Sequence, residues 1–357
     1  MNSTELKMVA QGSVVLIPAH NEESQIGAAL DALANQTAPP DYIVVICDNC
    51  TDNTADVARA HGADVFITQG NTNKKAGALN QVLRLLLPRL EADDTVLVQD
   101  ADSILDAQFH EQAAKHLEKG YGGVGGVFRG GTGGGFVGHL QRNEYARYAR
   151  DLARLKGRCL VITGTAAMFR VSTLREVAAA RLDGRLPKGD GNGGVYDISV
   201  LTEDNELTFA LKHLGFTVIA PAVCTLETEV MQSWRELWRQ RLRWKRGAVE
   251  NCFQYGFTKV TRTYWARQLL TFFGLVVTAA YLTTLTIAFS TGNVNIKLFW
   301  MLLTLLFVVE RVVTVRYRGW KRMALAATMY ELLFDFFLQA CHAKAYFGAF
   351  FRTAKSW

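Results

Sequence analysis

The chain has 357 residues, 49% of them hydrophobic, a formal net charge of +6 and a mean hydropathy of +0.06. That is length enough for one full-sized domain plus something smaller, and it is apolar for a soluble enzyme. The basic residues crowd between Arg235 and Arg267 and again between Arg316 and Arg322, each cluster beside an apolar segment, a placement that fits a cytoplasmic membrane surface and argues against a nucleic-acid groove.

The polar start Met1 to Gly12 runs straight into a buried-strand pattern. No signal peptide is expected from it, and the catalytic part is expected in the cytoplasm. Ser13 to Pro18 reads as a strand, followed by a helix from about Glu23 to Asn35. Tyr42 to Cys47 is the second strand and Thr51 to His61 a helix behind a turn rich in Asp and Asn. Ala63 to Thr68 and Thr95 to Gln99 are further strands, separated by a helix from Lys75 to Leu90. Short apolar strands alternating with helices predict an α/β domain with a mainly parallel sheet. Ligands of such sheets bind beyond the carboxyl ends of the strands. Here those ends carry Pro18-Ala19-His20-Asn21-Glu22, Asp48-Asn49 and Asp100-Ala101-Asp102.

The glycine-rich stretch from Gly120 to Gly138 contains a formal G-x-G-x-x-G at Gly120, Gly122 and Gly125. It runs into strand-like residues instead of opening a helix, so a dinucleotide site is excluded and a flexible loop beside the active site is expected. Cys47 and Cys50 have zinc-knuckle spacing, but no second pair completes four ligands. The six scattered cysteines read as free thiols in a reducing compartment.

From Arg235 to Thr261 the residues Trp234, Trp238, Trp244 and many arginines predict helices lying at a membrane interface. Leu269 to Ser290 is 22 residues without a charge, long enough at about 1.5 Å per residue to cross roughly 30 Å of hydrocarbon. Leu298 to Val315, interrupted by Glu310-Arg311, and Met323 to Ala340, carrying Glu331 and Asp335, are read as two further segments. Ionisable groups at that depth are expected to face a bundle interior or a wet cavity. The domain plan is a catalytic domain over residues 1–230, interfacial helices over 231–265 and a membrane domain over 266–357. The basic clusters and the Thr291 to Lys297 loop are expected on opposite sides of the bilayer.

Asp100-Ala101-Asp102 directly follows a strand. Two carboxylates at i and i+2 there can hold a hard cation and a ligand hydroxyl, and Mg²⁺ or Mn²⁺ in turn bridges diphosphate oxygens. A lone D-x-D is a weak signal. Its company is informative: Val14 to Glu22, Asp48 with Asp52-Asn53-Thr54, Lys75-Ala76-Gly77-Ala78-Leu79-Asn80, Asp100-x-Asp102, Thr202-Glu203-Asp204 and Gln240-Arg241-Leu242-Arg243-Trp244 occur in that order. This series resembles the family-2 glycosyltransferases, especially the processive branch of cellulose, chitin and hyaluronan synthases.

The resemblance implies a GT-A fold, a nucleotide-sugar donor, Mn²⁺ or Mg²⁺, and a carbohydrate acceptor. Pro18, Ala19 and Glu22 would line the nucleotide pocket, with Asp48 on the base or ribose, Lys75 near the nucleotide and Asp100 near its sugar. Asp102 would bind the metal. Asp204, beside Glu203, would be the general base. Gln240, Arg241 and Arg243 would face the diphosphate and Trp244 would stack on the acceptor, near the small-residue turn at Gly164 and Thr165. The expected function is inverting transfer, with a UDP-sugar donor, to a growing polysaccharide or oligosaccharide by a multi-pass enzyme of the plasma membrane. Two readings stand beside it. One is single-sugar transfer to a polyprenyl phosphate or other lipid-linked acceptor; the other is a non-catalytic receptor or transport subunit on the same fold. The large synthases usually carry helices before the catalytic domain and this sequence has only a dozen polar residues there, so a homo-oligomer, an export partner or a short product is implied.

Overall fold

The computed structural model describes residues 12–292 and 298–353. The polar start before residue 12 and most of the Thr291 to Lys297 loop lie outside the described residues. The chain forms two compact units: Met1–Thr132 with Asp151–Val230, and Gly133–Arg150 with Met231–Trp357.

Among the described residues the first unit holds ten strands: β1 (Ser13–Ala19), β2 (Tyr42–Cys47), β3 (Asp64–Ile67), β4 (Thr95–Gln99), β5 (Ile104–Leu105), β6 (Gly123–Gly125), β7 (Val127–Gly130), β8 (Ala166–Arg170), β9 (Val218–Ile219) and β10 (Thr225–Thr228). Seven form one sheet in the order β3-β2-β1-β4-β8-β6-β9, and β5-β10-β7 form a smaller one. The pairs β1–β2, β1–β4, β2–β3 and β6–β9 are parallel, and β8 runs antiparallel to both neighbours. The mainly parallel α/β sheet expected from the sequence is present. Its apolar strands are buried on both faces, with Val15, Ile17, Val45 and Leu97 all at 0% exposure, as sheets covered by helices require.

Chain order reverses at β1, which lies between β2 and β4. The crevice outside the carboxyl ends of these three strands is where such sheets bind ligands. Pro18 helps to open it. Register between β1 and β4 stops at Leu16↔Val98, whereas β1 continues beside β2 to Ala19↔Cys47. The missing Pro18 N–H therefore costs no ladder bond on the β4 side.

The helices are α1 (Ile26–Ala34), α2 (Thr54–Ala60), α3 (Lys74–Leu86), α4 (Phe109–Glu118), α5 (Gly135–Arg154), α6 (Val171–Leu182) and α7 (Glu203–His213). The first begins three residues later than its acidic start suggests. Glu22 and Glu23 are held by the neighbouring loop instead: Glu22 N donates to Thr54 Oγ1 at 2.8 Å, and Glu23 accepts from Asn53 N at 2.7 Å. The glycine-rich stretch also differs from the expected flexible loop, because β6 and β7 occupy its middle. A Cβ at Gly122 would come within 2.6 Å of Phe216, and one at Gly125 within 2.6 Å of Ile162. These glycines serve close packing.

One ion pair is wholly enclosed. Arg181 on α6 grips Glu206 on α7 with two parallel bonds of 3.1 and 2.6 Å, and both side chains are at 0% exposure. Arg181 also donates to the carbonyls of Val195 and Pro187, tying the irregular segment before α7 to both helices. Glu206→Ala leaves the guanidinium buried without its partner, and thermal unfolding is expected to show a loss of about 3–5 kcal/mol.

The second unit contains residues 135–150 of α5, then α8 (Trp234–Tyr255), α9 (Arg262–Ser290), α10 (Leu298–Thr314), α11 (Trp320–Ala327) and α12 (Leu332–Phe350). α8 starts at a reciprocal capping box of Ser233 and Glu236. Among the described residues α9 alone is by itself long and apolar enough to cross a membrane, and none of its most apolar window is buried. The other two predicted segments are less regular. α10 has 17 residues, and the third is broken into α11 and α12 at a bend of 67°. The acids of that region face inward, as expected. Glu331, 1% exposed, accepts from Asn143, Arg147 and Arg311 at 2.5 Å each, and Arg311 also pairs with Asp335.

Candidate active site

At the carboxyl ends of the central strands the structure gathers residues from four distant stretches of sequence. Asp204 stands in the first turn of α7 behind the extended Thr202. One of its oxygens accepts from Gly164 N at 2.9 Å and the other from Asn205 N at 2.7 Å. Lys75, in the first turn of α3, donates to the Gly164 carbonyl at 3.0 Å and to the Asp100 carboxylate, and lies 3.5 Å from Glu203. Asp100 N in turn donates to Thr165 O at 2.9 Å. Lys75, Asp100, Gly164, Thr165, Glu203 and Asp204 thus form one connected cluster.

Its electrostatics follow from burial. Burial pushes the Asp204 carboxyl up to about 6, Glu203 adds to the rise, and Lys75 opposes it. Burial works against the Lys75 ammonium, but Asp100 and Glu203 outweigh it and hold the lysine charged. A small cavity of about 20 Å³ lies beside this cluster, lined by Lys75, Gly164, Tyr196, Glu203 and Asp204. It is about the size of one water molecule.

Asp102 has a different setting. Its carboxylate accepts only long bonds, from Ser103 Oγ at 3.2 Å and Thr228 Oγ1 at 3.4 Å. Burial first, then Asp100 and Glu229, push it up to about 6. Glu22 is pushed up to about 7 by burial, Asp102, Glu229 and Asp100. Several carboxylates therefore crowd one crevice whose nearby lysine is already engaged. That donor set is all oxygen and short of positive charge, and it fits a hard divalent cation at Asp102. Among the described residues no three His, Cys, Asp or Glu side chains form a closed metal cage. The remaining ligands of such a cation would come from a substrate or from water.

The raised carboxyls have a measurable consequence. The folded chain holds protons on Glu22, Asp102 and Asp204 more tightly than the unfolded chain does. Their contribution to stability therefore falls as pH rises from about 4 through about 7. Thermal melts with and without Mn²⁺ are expected to differ most near pH 7, where these carboxyls have lost their protons.

Asp48, at the end of β2, is 8% exposed. Its Oδ1 accepts from Thr68 Oγ1 at 2.8 Å, Asn71 Nδ2 at 2.8 Å and Asn49 Nδ2 at 3.0 Å, which fixes the carboxylate on one side. Asn21 and Asn49 hold the crevice loops at φ of 58° and 53°, in the left-handed region that asparagine tolerates. Ala19 is 3% exposed, and its carbonyl accepts from Asp48 N at 2.9 Å. Sequence reasoning missed Asn71, Thr68, Tyr196 and Glu229. The asparagine-rich Asn71-Thr72-Asn73 turn offered a signal for the first; Tyr196 lies in a stretch without regular structure and offered none.

Gln240, Arg241, Arg243 and Trp244 lie on α8, in the second unit. Arg241 is 5% exposed, donates to Glu144 at 2.6 Å, and its guanidinium sits 4.4 Å from the Trp244 ring centroid. Its Nε and Nη1, and the Gln240 Oε1, are buried without a hydrogen-bond partner. Trp244 is 37% exposed, so one face of the indole stays open.

A family model described as "Glycosyltransferase like family 2" matches residues 11–247. The chain is 29% identical over 259 residues to the probable glycosyltransferase YdaM of Bacillus subtilis, covering 69% of this chain and 56% of that one. It is 25% identical over 249 residues to a poly-beta-1,6-N-acetyl-D-glucosamine synthase of Staphylococcus aureus, covering 67% and 55%. It spans about half the length of these curated relatives. Among solved structures, a mannosyltransferase from Pyrobaculum calidifontis in complex with GDP-Man and Mn²⁺ superposes with a TM-score of 0.59 at 18% identity, covering 96% of this chain and 88% of that one; at that identity the likeness shows the GT-A-like fold. With a family model matching well over half of its length, the chain belongs to the family-2 glycosyltransferases.

Proposed function

We propose that this protein is a membrane-bound, metal-dependent, inverting transferase. It moves a sugar from a nucleotide donor, with UDP as the carrier, to a growing polysaccharide or oligosaccharide. The observation that carries this reading is the half-buried Asp204 carboxylate, held by two backbone N–H groups in one cluster with Lys75 and Asp100, at the strand ends that also carry Asp102. The membrane part rests on α9.

Asp48 would recognise the base or ribose through its unfixed oxygen, in the pocket lined by Pro18, Ala19 and Glu22. Lys75 would orient Asp100 toward the donor sugar. An acceptor hydroxyl oxygen would bond to the anomeric carbon as the bond from that carbon to the diphosphate breaks on the opposite face, and the hydroxyl proton would pass to Asp204. A cation held by Asp102 supplies Lewis-acid stabilisation of the departing diphosphate. Arg241, with Gln240 and Arg243, would face the diphosphate, since a buried guanidinium donor is best satisfied by an anionic oxygen. With Asp204 as the base, the transfer would be a single displacement, which inverts the anomeric centre.

Trp244 would hold the acceptor, its open face stacking on the C–H side of a sugar ring, and in the first unit Gly164 and Thr165 would contribute to acceptor binding. Trp244→Ala is expected to shorten products or raise the acceptor requirement about tenfold while changing donor affinity little. Product sizing alongside titration with UDP checks this.

The structural relative holds GDP-Man, so the deciding assay offers both UDP- and GDP-sugars, each radiolabelled. Label in a water-soluble saccharide supports the proposal. Label extracted into chloroform–methanol assigns single-sugar transfer to a lipid acceptor, and no transfer from any donor leaves the receptor or transport reading.

A further inference from the structure

We infer that the first unit holds a second ligand site, between α3 and α6, which takes a small organic anion: a carboxylate or phosphate on a compact apolar body. A cavity of about 230 Å³ lies there, and it shares no lining residue with the small cavity beside Lys75 and Asp204. Its walls are mostly apolar: Leu83, Leu87 and Pro88 from the last turn of α3 and just beyond, Ala178 from α6, and Val195 from the segment before α7. A cavity of roughly 150 Å³ already admits a benzene ring, so this one has room for a ring and a headgroup. It is smaller than the roughly 300–1,000 Å³ clefts that take drug-sized ligands.

The charge on its walls has one sign. Arg84 and Arg175 line the cavity and no acidic side chain does. Arg84 is 43% exposed, which opens this wall to solvent; its Nε donates to Asn80 O at 3.2 Å and its Nη1 lies 3.3 Å from Asp190 Oδ2. Arg175 donates from Nε and Nη2 to the Leu87 carbonyl, at 3.1 and 2.5 Å, and from Nη2 to the Leu90 carbonyl. It thereby covers the end of α3, where unpaired carbonyls gather negative charge, so an anion there meets no bare helix end. Asp190 balances Arg84, whereas Arg175 has only carbonyls, and one positive charge is left over.

Among the described residues Arg84 Nη2 and Arg175 Nη1 have no hydrogen-bond partner. Asp190 does not satisfy them. The loop holds its Oδ1 through Asn192 N and Gly194 N, at 2.9 and 2.8 Å, and its Oδ2 lies 3.3 Å from Asn80 Nδ2. Spare guanidinium donors beside apolar walls are best met by a carboxylate or phosphate whose other end is apolar.

The cavity adjoins the catalytic cluster through one step of chain. Val195 lines it, and the next residue, Tyr196, lines the small cavity beside Asp204. Asn80, in the wall of the larger cavity, fixes Tyr196 twice: Tyr196 N donates to Asn80 Oδ1 at 2.9 Å, and Asn80 Nδ2 donates to Tyr196 O at 2.8 Å. An occupant packed on Val195 and Asn80 holds that connection in place.

Titration of the full chain in detergent with benzoate and phenyl phosphate tests the site, with phenol and inorganic phosphate as the two halves of the ligand. Benzoate or phenyl phosphate is expected to bind about tenfold more tightly than either half, and the tighter of the two names the headgroup. Arg84→Gln removes a charge, and Ala178→Phe fills the cavity while leaving the hydrogen bonds around it intact. Each should weaken binding about tenfold. UDP with Mn²⁺ should not displace the probe, and deuterium uptake around Tyr196 should slow when the probe is bound. None of these readouts needs sugar transfer. Phenol binding as tightly would show an apolar pocket only, and inorganic phosphate binding as tightly a simple anion site. Binding untouched by both variants, or displaced by UDP, would put the probe elsewhere. Any of these results overturns the inference, as does no binding of any probe. Unchanged uptake around Tyr196 with binding intact removes the link to the catalytic cluster.

Discussion

Asp204→Asn is expected to keep the donor bound while transfer falls by roughly 10²-fold or more, the usual contribution of a positioned general base. The amide cannot accept the acceptor proton, yet it has nearly the size of the carboxylate. The structure adds a cost. Both Asp204 oxygens accept backbone N–H groups, from Gly164 and Asn205, so the amide must turn its NH₂ toward one of these donors. A modest loss of stability is therefore expected beside the catalytic loss, and titration with UDP plus metal separates the two. In the parent enzyme a carboxyl pushed up to about 6 is protonated in acid, so transfer should fall about tenfold per pH unit below that point. Transfer at the parental rate by Asp204→Asn would remove Asp204 as the base.

Asp102→Asn is expected to act in the opposite direction on stability. In the parent, burial and the charges of Asp100 and Glu229 disfavour the Asp102 carboxylate, and its hydrogen bonds of 3.2 and 3.4 Å offset little of that. The neutral amide relieves the repulsion, so the variant should melt higher than the parent when chelator is present. With Mn²⁺ the order should reverse, because only the parent gains from binding the cation. Transfer should fall by roughly 10²-fold, in line with the several kcal/mol that a Lewis acid contributes. A variant that melts lower in chelator and keeps its metal response would show that the carboxylate serves packing and not the cation.

Much of the first unit was legible in the sequence because its strands are continuous apolar runs ending in polar residues. Tyr42 to Cys47 and Thr95 to Gln99 were read to the residue. α1 was read too long because Glu22 and Glu23 look like first-turn acids, whereas Glu22 N donates to Thr54 Oγ1 at the start of α2 and the Glu23 carboxylate accepts from Asn53 N just before it. The glycine-rich stretch was misread because glycine marks both mobile loops and close packing. Only the positions of Phe216 and Ile162 decide between them.

The site divides in the same way. Asp100, Asp102 and Asp204 were singled out because each follows a strand or opens a helix at a motif position. The links among Lys75, Gly164 and Asp204 were not legible, since they join positions 75, 164 and 204 through backbone atoms that no side-chain pattern records. The break in the third apolar segment was not legible for a related reason. Hydropathy registers that Met323 to Ala340 is apolar but not that the chain bends by 67° between α11 and α12.

The most direct test of the account is release of nucleoside diphosphate from a panel of UDP- and GDP-sugars by the purified protein, in excess chelator and then with Mn²⁺ or Mg²⁺ restored. Release from at least one donor, lost with chelator and recovered with metal, is the predicted result. Release from no donor under any condition, or undiminished release in excess chelator, would contradict it.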